Sequence, residues 1–146
     1  MPLPPLQILG ICGSLRKGSF NRMTLHAAQQ LVPADAKMEI LGIESIPIFN
    51  QDDEKNPPPV VLDFKRRIKA ADAMLFATPE YNYGMSGALK NAIDWASRPH
   101  GDNAWNDKPA AIMSAASGAL GGVRAQNRLR QSFVFLNIHP DRKSVV

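Results

Sequence analysis

Three short stretches of this chain concentrate the residues that could do chemistry. The first, Gly13-Ser14-Leu15-Arg16-Lys17-Gly18-Ser19-Phe20-Asn21, sets two serines, an arginine and an asparagine among glycines. Short donors and one cation, placed before a helix start whose N–H groups are unpaired and whose dipole end is positive, suit a terminal phosphate dianion. The stretch has neither the G-x-x-x-x-G-K-[ST] nor the G-x-G-x-x-G pattern, so a P-loop and a dinucleotide fingerprint are both excluded. Its competing reading is a plain turn in which Ser19 caps the helix. The second stretch, Thr78-Pro79-Glu80-Tyr81-Asn82-Tyr83-Gly84, suits a flat heteroaromatic ring. Tyrosine covers a face or an edge while backbone polar groups meet the ring's rim. The alternative is a turn whose tyrosines pack on neighbouring helices. The third, Ser114-Ala115-Ala116-Ser117-Gly118-Ala119-Leu120-Gly121-Gly122, is built of small residues. They permit close approach to the backbone, and the N–H groups before the next helix favour negative charge; close packing or chain flexibility explains the same composition.

Little else in the chain offers chemistry. His26, His100 and His139 lack metal-ligand spacing, so no metal site is expected. The single cysteine, Cys12, rules out a disulfide framework and sits in an apolar run, where a buried inert thiol is expected. Seventeen basic against thirteen acidic residues give a net charge of +4, a balance that suits a small anion as well as nucleic acid. The one basic run, Lys65-Arg66-Arg67, has no interleaved aromatics and reads as the solvated face of a helix. Residues Met1 to Pro5 form no signal peptide, and no apolar stretch is long enough to span a membrane. A cytoplasmic protein without nucleic-acid or membrane partners is the expectation.

The elements that must position the three stretches alternate along the chain. Strands are predicted over Leu6–Cys12, Lys37–Ile43, Asp72–Thr78 and Pro109–Ala116 from their short, continuous apolar runs. Helical periodicity marks Asn21–Val32, Val60–Ala71, Ser86–Ser97 and Gly122–Phe133, with Ile46–Pro59 and His100–Lys108 as loops. In the helix over 60–71, Val61, Phe64 and Ile68 form one apolar stripe. Repeated βα units with buried strands imply an α/β, doubly wound parallel sheet in a three-layer α/β/α sandwich. Such sheets bind ligands beyond the carboxyl ends of their strands, which is where all three stretches fall. The 146 residues fit one domain.

The stretches GSLRKGSFN, TPEYNYGMSGALKNAIDWASRP and SAASGALGGVRAQNRLRQ, in this order, resemble the NADPH-dependent FMN reductase family, which includes chromate and quinone reductases. The likeness runs from about Ile8 to Ile138. It implies a flavodoxin-like fold, bound FMN, and NADPH or NADH as co-substrate, with electrons passed on to quinone, flavin, azo or chromate-type acceptors. By position it places Ser14, Arg16, Ser19, Phe20 and Asn21 at the FMN phosphate. Pro79, Glu80, Tyr81, Asn82 and Tyr83 would line the isoalloxazine, and Ser117 and Gly118 its pyrimidine side, which is anionic when reduced. No side chain is required as an acid or base, so no catalytic residue is named. Arg16, Lys17 and Arg124 are candidates for attracting the NADPH phosphates. Family members form homodimers or homotetramers. The alternatives are a non-enzymatic FMN-binding electron carrier or sensor, another nucleotide-binding protein, or an inactive fragment; the basic charge argues against a carrier. The family runs on through a fifth strand and a closing helix. Here both are expected to be cut short, with Asp141–Val146 non-native.

Overall fold

A computed structural model describes residues 3–141. Five parallel strands, β1 (Leu6–Cys12), β2 (Ala36–Leu41), β3 (Ala73–Ala77), β4 (Pro109–Met113) and β5 (His139–Pro140), form one sheet in the order β2-β1-β3-β4-β5. Between them run α1 (Phe20–Gln30), α2 (Pro59–Ala70), α3 (Gly87–Ala96) and α4 (Val123–Leu136). The strand order reverses direction between β1 and β3. Right-handed crossovers then place α1 on one face and α2, α3 and α4 on the other, giving the doubly wound α/β sandwich expected from the alternating pattern.

The face under α2–α4 holds most of the core. Ile11, Phe76 and Ile112 stand side by side on β1, β3 and β4, since Ile11 pairs with Phe76 and Phe76 with Ile112. The expected stripe of α2, Val61, Phe64 and Ile68, is fully buried against them. Phe76 lies between the rings of Trp105 and Phe133, at centroid distances of 5.7 and 5.1 Å. Trp105 is buried because its indole N–H finds the Ile93 carbonyl at 3.0 Å, which removes the cost of an unpaired donor. On the opposite face α1 contributes Leu25, packed with Cys12 and Ala77. Cys12 is buried, as its apolar setting required. Beyond α1 this face carries a shallow apolar hollow of about 370 Å³ over Ile8, Leu75 and Ala111.

Three expectations need correction. The fourth strand ends at Met113 rather than Ala116, because the backbone of Ala115 is bonded to the side chain of Asn21 instead of continuing the ladder. The last helix runs on to Leu136 rather than ending at Phe133. Phe133 and Leu136 are buried at helical spacing, and Asn137, at φ 55°, ends the helix in the left-handed region. Among the described residues the fifth strand is a two-residue piece that pairs with Pro109 and Ala110. The expectation for the C-terminal residues falls, beyond Asp141, outside the described residues.

The third correction concerns the basic run. Arg66 is exposed beside Asp63, and Arg67 pairs with Glu39 on β2, but Lys65 is buried. Its ammonium donates to the Arg98 carbonyl and to Asp102 (2.6 Å), and Lys69 donates to the other Asp102 oxygen. A buried cation persists only with such partners. The result is a clamp between α2 and the loop after α3. Hydrogen bonds from Lys65 and then Lys69 hold the Asp102 carboxyl below the usual carboxylate range. A lowered folded-state value stabilises the fold above the ordinary carboxylate pKa, and that stabilisation is lost as pH falls through the lowered value. Because Asp102 is half-exposed, Asp102→Asn should cost about 1–2 kcal/mol at neutral pH in urea unfolding. The gap between variant and parent should close on acidification below about pH 4; a gap constant with pH would exclude the clamp.

Candidate functional site

The loops after β1, β3 and β4 emerge side by side at the reversal of strand order, where open parallel sheets leave a crevice. They meet in one cleft of about 170 Å³ lined by Ser14, Arg16, Ser19, Phe20, Asn21, Pro79, Glu80, Tyr81, Ala115, Ala116 and Ser117. Nine of the twelve residues placed here from sequence are on this lining. The other three, Asn82, Tyr83 and Gly118, are not: the first two form the tip of the tyrosine turn, and Gly118 lies exposed on the third loop. A larger hollow of about 420 Å³ lies near the other end of the strands. There Asp63 and Glu39 already pair with Arg66 and Arg67, so its charges are matched within the protein.

Each loop is held by specific bonds. Ser19 is the N-cap of α1, its hydroxyl accepting the Arg22 N–H at 3.2 Å. Ser14 is buried and accepts the Arg16 N–H at 3.4 Å. The Arg16 guanidinium lies 5.3 Å from the centre of the Phe20 ring, a cation–π distance that keeps the charge at the cleft edge. Asn21 also ties two loops together. Its amide donates to the Ala115 carbonyl at 3.1 Å and accepts the Ala115 N–H at 2.9 Å. The side chain ties the first loop to the third with one of its two N–H donors, and its backbone N–H, with that of Phe20, lies at the helix N-terminus free of intrahelical partners.

The second loop is a tight turn. Tyr81 and Gly84 exchange two backbone hydrogen bonds, both 3.0 Å. Asn82 and Tyr83 between them have φ of 50° and 63°, the signature of a turn with both central residues left-handed. For tyrosine this conformation is costly, so the surroundings must hold it. Glu80 supplies part of the hold: its carboxylate accepts the N–H groups of Arg124 (2.9 Å) and Ala125 (3.2 Å) at the start of α4. The third loop is closed by Ser114, whose hydroxyl donates to Gly121 and accepts from the Gln126 amide at 2.6 Å. Gly122 must lack a side chain here, with φ 85° and Ser114 only 2.9 Å from where a Cβ would stand.

Sequence reading missed Ser86. It caps α3 by accepting the Leu89 N–H at 3.1 Å and donates to the Gly13 carbonyl at 2.5 Å, so one hydroxyl fixes the first loop against the helix after the second. A serine before an apolar helical run is an N-cap signal, and that half of its role was readable. The donor set fits a phosphorylated planar ring: hydroxyls, a guanidinium and a helix N-terminus at one end, tyrosines and backbone groups at the other. At about 170 Å³ the cleft is smaller than the ~300–1,000 Å³ of enclosed ligand pockets. A ligand of FMN's size would therefore reach beyond this lining.

Comparison with known proteins gives the same direction. The model of a family described as NADPH-dependent FMN reductase matches residues 6–146. The chain is 51% identical over 142 residues to an NAD(P)H-dependent FMN reductase of Pseudomonas aeruginosa, covering 97% of this chain and 76% of that protein. It is 50% identical over 141 residues to an NAD(P)H:quinone oxidoreductase of Solanum tuberosum, covering 93% and 71%. Among solved structures, FerB of Paracoccus denitrificans, described as a flavoenzyme NAD(P)H:(acceptor) oxidoreductase, superposes with a TM-score of 0.91 at 36% identity, covering 97% of this chain and 78% of that one. A flavodoxin, WrbA-like protein of Agrobacterium tumefaciens shares the fold at 22% identity, with a TM-score of 0.61, covering 92% and 75%.

The bond between the first and third loops generates a direct test. Asn21→Ala removes two part-buried hydrogen bonds to the backbone of Ala115, which should cost about 1–3 kcal/mol. Urea unfolding would show this as a lower midpoint with an unchanged slope. A loss below about 0.5 kcal/mol, the size of an ordinary surface change, would mean the loops are held by other contacts.

Proposed function

The chain belongs to the NADPH-dependent FMN reductase family, and on that premise we propose that it binds FMN in the three-loop cleft and transfers two electrons from NAD(P)H to a quinone. The observation that carries this reading is the convergence of a phosphate-type donor set and a tyrosine turn on one cleft. When bound, FMN supplies the hydride-accepting chemistry that amino-acid side chains lack. Overall, NAD(P)H, a proton and a quinone become NAD(P)⁺ and a quinol.

The chain's own residues bind and orient. Ser14, Ser19 and Arg16 would hold the phosphate, joined by the first-turn N–H groups of Phe20 and Asn21. Pro79, Glu80, Tyr81, Asn82 and Tyr83 would flank the isoalloxazine. Ser117 and Gly118 would offer donors to its pyrimidine side, where negative charge develops on reduction. No side chain of the cleft is needed to carry a proton, so no catalytic acid or base is assigned. Arg16 and Lys17 give the rim positive charge toward the NADPH phosphates, whereas Arg124 is paired with Glu80. Quinones are the acceptor class that the relatives' names support; azo and chromate-type acceptors are a wider reading of the same open site.

Around the cleft, Leu15, Phe20, Tyr81, Leu120 and Val123 are exposed. Exposed large apolar side chains on all three loops are compatible with an interaction surface, and we propose a homodimer or homotetramer with flavin sites beside the subunit contact. No helix among the described residues is long and apolar enough to cross a membrane, and we place the enzyme in the cytoplasm.

The test is anaerobic. FMN retained through gel filtration should lose its visible absorbance on adding NADPH and regain it on adding a quinone. Retained flavin that NADPH leaves oxidised would point to a carrier or sensor instead. Arg16→Ala should weaken FMN binding about tenfold, a charge-assisted bond's worth of ~1.4 kcal/mol, and leave riboflavin binding unchanged. Equal losses for both ligands would remove Arg16 from the phosphate site.

A further inference from the structure

The N-terminus of α4 has no cap of its own. Its N-cap position is Gly122, which offers no side-chain acceptor, although the first turn of any helix presents N–H groups that need one. The acceptor comes from a distant loop: Glu80 Oε2 takes the N–H groups of both Arg124 and Ala125. The other oxygen, Oε1, accepts from the Arg124 guanidinium at 3.3 Å. That guanidinium in turn lies 4.1 Å from the centre of the Tyr83 ring, a close cation–π contact. Tyr83 itself is the residue in the costly left-handed conformation, at φ 63°. Three side chains thus run in a closed circuit, from the second loop to α4 and back to the second loop.

We propose that Glu80 and Arg124 are positioning residues: together they form a clasp that caps α4 from outside and fixes Tyr83 as a rigid wall of the flavin site. Arg124 is then held in place, with its charge partly matched by Glu80, and does not sweep the rim as a free cation. Glu80 acts through its carboxylate on α4 and through Arg124 on Tyr83, and it needs no contact with a reacting atom. The clasp explains why a tyrosine is tolerated in the turn where glycine or asparagine would be less strained. That the wall faces a flavin rests on the function proposed above; the clasp itself does not.

Glu80→Ala removes cap and ion pair together, Glu80→Gln keeps an acceptor for the α4 N–H groups without the charge, and Arg124→Ala removes the stacking while sparing the cap. Hydrogen–deuterium exchange on the flavin-free protein reads each part. In Glu80→Ala, peptides covering the start of α4 and the 81–84 turn should both exchange about tenfold faster, while those covering residues 13–19 stay unchanged. Glu80→Gln should restore most of the protection at α4 but not in the turn, and Arg124→Ala should loosen the turn alone. Faster exchange at α4 with an unaltered turn in all three variants would reduce Glu80 to a plain cap and overturn the clasp. So would unaltered exchange at both places. With flavin present, Glu80→Ala should weaken FMN and riboflavin by the same factor, because the ring side of the site is loosened. Selective loss of FMN would place Glu80 at the phosphate and overturn the assignment. Absence of flavin binding in the parent protein would count against the proposed function and leave the exchange test of the clasp standing.

Discussion

Asn21 gives both polar groups of its side-chain amide to the backbone of Ala115, 94 residues away along the chain. The pair has the geometry of two strands exchanging hydrogen bonds, made by a side chain where the sheet cannot supply it. The Asn21 side chain is buried and Ala115 half-buried, so the two bonds are partly shielded from water. Without it the third loop would have no reason to leave β4 at Met113 and fold over the start of α1. Ser86 does the equivalent for the first and second loops by donating to Gly13, and Glu80 for the second loop and α4. The cleft is therefore a set of loops bound pairwise to one another, on a parallel sheet that delivers all of them to one end. Rigid elements below and cross-bonded loops above are what a site needs to hold a planar ligand in a fixed orientation.

The cost of this arrangement is concentrated in a few residues. Asn82 and Tyr83 occupy left-handed backbone positions, and Gly122 must stay bare to let Ser114 in. Outliers of this kind persist only when neighbours over-determine them, and here the neighbours are the hydrogen bonds and the Arg124–Tyr83 stacking just described. The hydrophobic core lies mainly on the α2–α4 face. Stability comes from that face, through residues such as Phe76 and Trp105, while two of the left-handed non-glycine residues, Asn82 and Tyr83, stand beside the cleft and two, Asp107 and Asn137, stand away from it.

Periodicity and strand-like runs were enough to place all four helices and four of the strands, because burial on both faces of a parallel sheet leaves a strong local pattern. The three loops were legible for the same reason: polar and small residues interrupt apolar runs at the strand ends. What was not legible is every contact between distant segments. Asn21 looks like a phosphate donor because it sits among donors, and nothing near it reveals Ala115. Lys65 looks solvated because its neighbours Arg66 and Arg67 are charged, and its burial depends on Asp102 and the Arg98 carbonyl. The last helix reads as ending at Phe133, and its continuation to Leu136 goes with the burial of Phe133 and Leu136 against the core.

The central claim is that one ligand touches all three loops at once. Amide chemical-shift mapping during an FMN titration tests it most directly. The result expected is a continuous perturbed patch covering residues 13–21, 79–84 and 115–122, with the hollow lined by Gln7, Glu39 and Arg66 silent. Shifts confined to one loop, or centred on that hollow, would contradict it.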